Sequence, residues 1–174
     1  MEVKGAIFLY TLSGLMITFA GFSALLLAVR PASGAKLSVL DKYLAKTVMT
    51  HLFVLTAAAL LPALLALYDM PEPSIWRWTA VLFALPMLAL QLSYPHRRRK
   101  VIGVGPPFAI LAVFVALGAV VTLAMLVYVL GSPAYAAAAY ITALTIDFFT
   151  VMFAFVVALS VILQQPVENP RKRR

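Results

Sequence analysis

The sequence predicts an all-α fold, a polytopic transmembrane bundle of five helices, on three observations. First, 64% of the 174 residues are hydrophobic and 11% are charged, with a mean hydropathy of +1.00. Six acids and 14 Lys/Arg cannot cover a soluble domain of this size with polar surface. Second, five segments reach the length of about 20 apolar residues that a hydrocarbon core of about 30 Å requires. Third, the alternating apolar/polar pattern of barrel strands is absent, so backbone groups must be satisfied within helices.

The first span is expected over 5–29. A cleaved signal peptide ending near "RPASGA" is its rival. Against it, the run is too long, Glu2 accompanies Lys4 at its leading end, and the stronger positive charge lies beyond it. The second span covers 47–69 and is preceded by "LSVLDKYLAK". There Ser38 can cap a helix with Asp41 three residues later, and Val39, Leu40, Tyr43 and Leu44 alternate with Lys42 and Lys46 as an interfacial amphipathic turn. The third span covers 75–94 and the fourth 108–130, joined by the basic loop "PHRRRKVIGVGPP". The fifth covers 135–163, and 164–174 form a short basic tail. The connections "MPEPS" and "GSPA" are short and carry proline, which pairs spans two with three and four with five as antiparallel hairpins.

Charge sets the expected orientation. Arg30, Lys36, Lys42 and Lys46, then Arg97, Arg98, Arg99 and Lys100, then Arg171, Lys172, Arg173 and Arg174 lie on one side, against Lys4 and Arg77 on the other. Basic loops stay cytoplasmic, so the N-terminus is outside and the C-terminus inside. The net charge of +8 is thus a topology signal and a contact for anionic headgroups, through Arg97, Arg98, Arg99, Lys100, Arg171 and Lys172, and not a nucleic-acid surface.

Small residues mark the expected packing faces. They are Thr11, Gly14, Thr18, Gly21 and Ala28 in the first span, and Ala109, Ala112, Ala116 and Ala119 in the fourth. In the fifth they are Ala136, Ala143, Thr150, Ala154 and Ala158, with Asp147 among them and Phe149, Met152, Phe153 and Val156 mainly elsewhere. Internal packing is the expected use of all three stripes, with a homo-oligomer seam as the alternative. Pro62 and Pro86 release the carbonyls of Ala58 and Leu82, as hinges or as static kinks.

Asp147 is the chemical question, since a charged acid at mid-bilayer costs about 3 kcal/mol on insertion scales. It must be protonated, hydrogen-bonded to a group such as Thr150, or paired, with Arg77 the nearest cation by expected depth. His51, beside Thr47 and Thr50, lies nearer the inner end of span two and meets Asp147 only with a vertical offset. The candidate proton or cation site is therefore Asp147, Thr150 and His51. No catalytic residues, metal site or cofactor are expected. Zero cysteines and two histidines at unequal depth argue against haem and zinc, "VIGVGPP" lacks the pattern of a phosphate loop, and no Ser/His/Asp set shares one depth.

The run "AGFSALLLAVR", then "LSVLDKYLAK", then "SIWRW" resembles a loose group of short multipass bacterial inner-membrane proteins with no assigned activity, over mainly the first half of the chain. The resemblance implies membrane class and a bacterial source, with no role for Asp147. The expected function is a noncatalytic bundle component that binds other membrane proteins or organises lipid. The alternative is a small homo-oligomeric channel or transporter using Asp147.

Overall fold

The computed structural model describes residues 5–32, 38–108 and 111–163. These form helices without strands: α1 (Ala6–Ala32), α2 (Val39–Ala66), α3 (Glu72–Ile102), a π-helical segment (Leu111–Leu117) leading into α4 (Gly118–Gly131), and, after a 3-10 turn (Pro133–Tyr135), α5 (Ala136–Leu163). Five helical spans are long and apolar enough to cross a membrane, the fourth running from Phe114 of the π segment to Gly131. Their outward faces are also apolar, with Ile7, Phe53, Leu85, Val127 and Phe149 among the exposed side chains, a surface that lipid solvates and water does not.

Two helices are longer than the sequence reading expects. The amphipathic stretch before span two is continuous with α2 and begins at a capping box. Ser38 Oγ accepts from the Asp41 N–H at 3.1 Å and Asp41 Oδ2 accepts from the Ser38 N–H at 2.9 Å, satisfying two of the amides that open a helix. The stretch expected to be a basic loop is instead the last two turns of α3. Pro95 is accommodated inside the helix, Arg97 Nη2 donates to the Leu90 carbonyl at 2.7 Å, and the helix stops at Gly103, whose φ of +83° is left-handed.

Helices α2, α3, α4 and α5 close a ring in which each packs on its chain neighbour and α5 returns to α2, while α1 lies outside against α2. Close approach inside the ring comes from Ala58 and Ala59 of α2, Ala80 and Ala84 of α3 and Ala143 of α5, all buried. Between them sit the aromatics. The Tyr140 ring lies 5.7 Å from Trp76 and 5.9 Å from Phe83. Helix α1 docks through Leu9, Leu12 and Met16, and its Phe19 meets Phe155 edge-on at 5.2 Å, a pair worth about 0.5–1.5 kcal/mol beyond its burial.

This seating corrects the expected packing face of α1. Gly14, Thr18 and Gly21 point out of the bundle, and a Cβ added at Gly14 or Gly21 would meet nothing within 4 Å. Thr18 donates to the carbonyl of Gly14 at 2.8 Å, so the stripe is internally satisfied. The stripe of the fourth span also changes. Ala119 is buried, but Ala116, inside the π-helical segment, is exposed. Ala109 and the side chains of Ala112 and Ala158 lie outside the described residues, as do Arg171, Lys172 and the whole 164–174 tail.

Pro62 is buried, and the Ala58 carbonyl it frees accepts from the Tyr140 hydroxyl of α5 at 2.8 Å. Pro86 faces outward.

Candidate functional site

On α5, Ala136, Tyr140, Ala143, Asp147 and Val151 recur at spacings of three and four and are all buried, which is the face turned to the ring. Asp147 is 1% exposed. Its partner is Thr122 of α4, whose Oγ1 lies 3.3 Å from Asp147 Oδ2 and 2.9 Å from the Gly118 carbonyl oxygen. That hydroxyl has one proton for two acceptors. Thr150, the expected partner, instead donates to the Ile146 carbonyl of its own helix at 2.8 Å.

Gln91 of α3 completes the cluster, buried at the junction between the π segment and α4. A Cβ built on Gly118 would stand 2.6 Å from Gln91 Nε2 and 3.7 Å from Asp147 Oδ1, so amide and carboxylate flank one point that only glycine leaves open. Among the described residues no protein donor reaches Asp147 Oδ1 or Gln91 Oε1, and both atoms are buried.

Beside this cluster lies a cavity of about 130 Å³ between α2, α3, the π segment and α5. Its polar lining comprises Thr47, His51, Gln91, Tyr94, Asp147 and Thr150, and its apolar walls include Val48, Met87 and Phe114. His51 and Asp147, expected at different depths, thus border one space. His51 Nδ1 is 2.8 Å from the Thr47 carbonyl, and a carbonyl can only accept, so Nδ1 carries the proton and Nε2 is the acceptor nitrogen of the neutral ring. Thr47 Oγ1 is likewise committed to the Tyr43 carbonyl at 2.9 Å. The lining thus brings several acceptors together, with the Gln91 amide and the Tyr94 hydroxyl as donors among them.

The other expected contributors lie elsewhere. Arg77 is exposed near the start of α3, and it precedes Gln91 by 14 residues, about 21 Å along a helix, so it is not the counter-charge of Asp147. Of the basic residues at the end of α3, Arg99 and Lys100 are exposed, whereas Arg98 is buried and Arg97 turns back along its own helix. Sequence reasoning does not single out Gln91, Thr122 or Gly118. The available signal is that Gln91 is the one carboxamide of span three and Thr122 the one aliphatic hydroxyl of span four, and isolated polar groups in apolar spans find partners inside the bundle.

Such a site can hold a small group that donates hydrogen bonds, namely water, a hydrated proton or an ammonium-type cation. Among the described residues no cluster of His, Cys, Asp and Glu could hold a metal ion. No protein-family model matches the chain, and neither a curated protein nor a solved structure matches it.

Proposed function

We propose that this chain is a multipass protein of a bacterial inner membrane, N-terminus outside, which binds a proton or a small cation at Asp147 as a channel or transporter. One observation carries the reading. Among the described residues, Asp147 Oδ1 and Gln91 Oε1 are buried without protein donors beside a cavity into which His51 brings a further acceptor. Burying an unmet acceptor costs about 1–3 kcal/mol, and a packing face alone gives no reason to concentrate several at one place. The cavity exceeds the roughly 30 Å³ a water takes in the liquid, so water can link the acceptors.

The test is flux into liposomes holding the purified full chain, for protons, monovalent cations and anions. The reading expects wild-type flux above empty vesicles, abolished by Asp147→Asn with the helix content and melting profile retained. Flux that never exceeds empty-vesicle leakage, or that survives Asp147→Asn unchanged, contradicts it.

A second reading, a noncatalytic component that assembles with other membrane helices or with copies of itself, is favoured by a separate observation. The stripe Gly14, Thr18, Gly21 faces out with open space around it, where a second helix can approach closely. Both readings hold together if the transporter is an oligomer joined through α1.

A further inference from the structure

At the basic end of the bundle, Arg98 is 8% exposed, and among the described residues its Nε and Nη1 have no acceptor. It lies four residues after Tyr94 and four before Ile102, hence on the same face of α3. That face packs with Tyr43 of α2 and Val115 of the π segment in a cluster separate from the main core. Tyr43 and Tyr94 stand 6.0 Å apart, ring to ring, and the Tyr43 hydroxyl is spent on the Tyr94 carbonyl at 3.4 Å. Arg97 is partly buried beside it. Its Nη2 is committed to the Leu90 carbonyl, and its Nε, also buried, has no acceptor.

Two adjacent guanidinium groups therefore hold three buried nitrogens without acceptors among the described residues. Removing a guanidinium from water costs several kcal/mol unless an anion and its oxygens replace the hydration. Exposed Arg99 and Lys100 add further positive charge alongside.

We propose that Arg98 and Arg97, between Tyr43 and Tyr94, form a binding niche for a phosphate group. A phosphate has the charge and the several acceptor oxygens that two such guanidinium groups lack, and arginine's planar fork suits it. The phosphate belongs to a lipid headgroup or is free in solution, and the test separates the two. The niche is independent of the reading given to Asp147.

Full-length protein in detergent micelles is titrated with phosphatidylglycerol, with a phosphate-free glycolipid, or with inorganic phosphate, and the adduct retained per chain is read by native mass spectrometry. Wild type retains phosphatidylglycerol or phosphate and not the glycolipid. Arg98→Gln weakens that retention about tenfold, the loss expected of charge-assisted hydrogen bonds. Arg99→Gln, exposed, weakens it by about threefold or less. Displacement of phosphatidylglycerol by millimolar phosphate assigns free phosphate, and resistance to it assigns a lipid headgroup. Equal losses in Arg98→Gln and Arg99→Gln reduce the binding to surface charge and overturn the proposal, as do unchanged retention in Arg98→Gln and no selective retention in wild type. If Arg98→Gln does not fold, Arg98→Lys decides. It keeps the charge without the fork, and retention equal to wild type overturns the niche.

Discussion

Replacing Tyr140 by Phe removes one oxygen and leaves the ring against Trp76 and Phe83, at 5.7 and 5.9 Å. The loss is the 2.8 Å hydrogen bond to the Ala58 carbonyl, which Pro62 deprives of its usual amide donor. A net hydrogen bond is worth about 0.5–1.5 kcal/mol and a stranded buried carbonyl costs about 1–3 kcal/mol, while side-chain hydrogen bonds measured between membrane helices average about 0.6 kcal/mol and reach about 1.7. Tyr140→Phe should therefore cost about 1–2 kcal/mol in the natural background. In a Pro62→Ala background the restored N–H of residue 62 takes the same carbonyl, and Tyr140→Phe should then cost about 0.5 kcal/mol or less. The assay is reversible unfolding in mixed micelles, measured for wild type, both single variants and the double variant. A coupling of about 1 kcal/mol between sites 62 and 140 is expected. Equal costs in the two backgrounds, within about 0.3 kcal/mol, would refute the claim that Tyr140 substitutes for the missing amide.

Two further perturbations probe other parts of the account. Gly118→Ala puts a methyl 2.6 Å from Gln91 Nε2 and 3.1 Å from its Cδ, so it should destabilise by about 1–3 kcal/mol, as overpacking does. Most of that should be recovered with Gln91→Ala, read by the same unfolding assay, and no recovery would mean the clash is not with Gln91. Gly14→Leu with Gly21→Leu should leave monomer stability within about 0.5 kcal/mol of wild type, because nothing in the bundle touches those positions. Any wild-type oligomer seen by native mass spectrometry should dissociate, and a misfolded monomer would show that α1 packs the other way round.

The five helices and the fifth-helix face are legible in the sequence, because span length and the Ala136–Ala143–Asp147 spacing are local properties of the chain. The Ser38–Asp41 capping box is equally legible, since cap and partner sit within one turn. The orientation of α1 is not. Both of its faces are apolar, and in lipid the contrast that separates inside from outside in water is missing, so Leu9, Leu12 and Met16 rather than the glycine stripe turn inward. The partners of Asp147 are hidden for another reason. Thr122 precedes it by 25 residues, and its aim depends on the π turns that lead into α4, which no simple periodicity in "LAVFVAL" announces. The extension of α3 is obscured by Pro95, a residue type that usually ends a helix.

The most direct measurement is reaction of the folded protein with a hydrophobic carbodiimide, which adds to a carboxylic acid in apolar surroundings, with the modified residue identified by peptide mass spectrometry. If Asp147 is a binding group that a small ligand reaches, the acid at 147 is the principal site modified, Asp147→Asn removes the adduct, and the transported cation or low pH changes its rate. If Asp147 stays unmodified while folded and reacts only after unfolding, it is a sealed structural acid and the transport account is wrong.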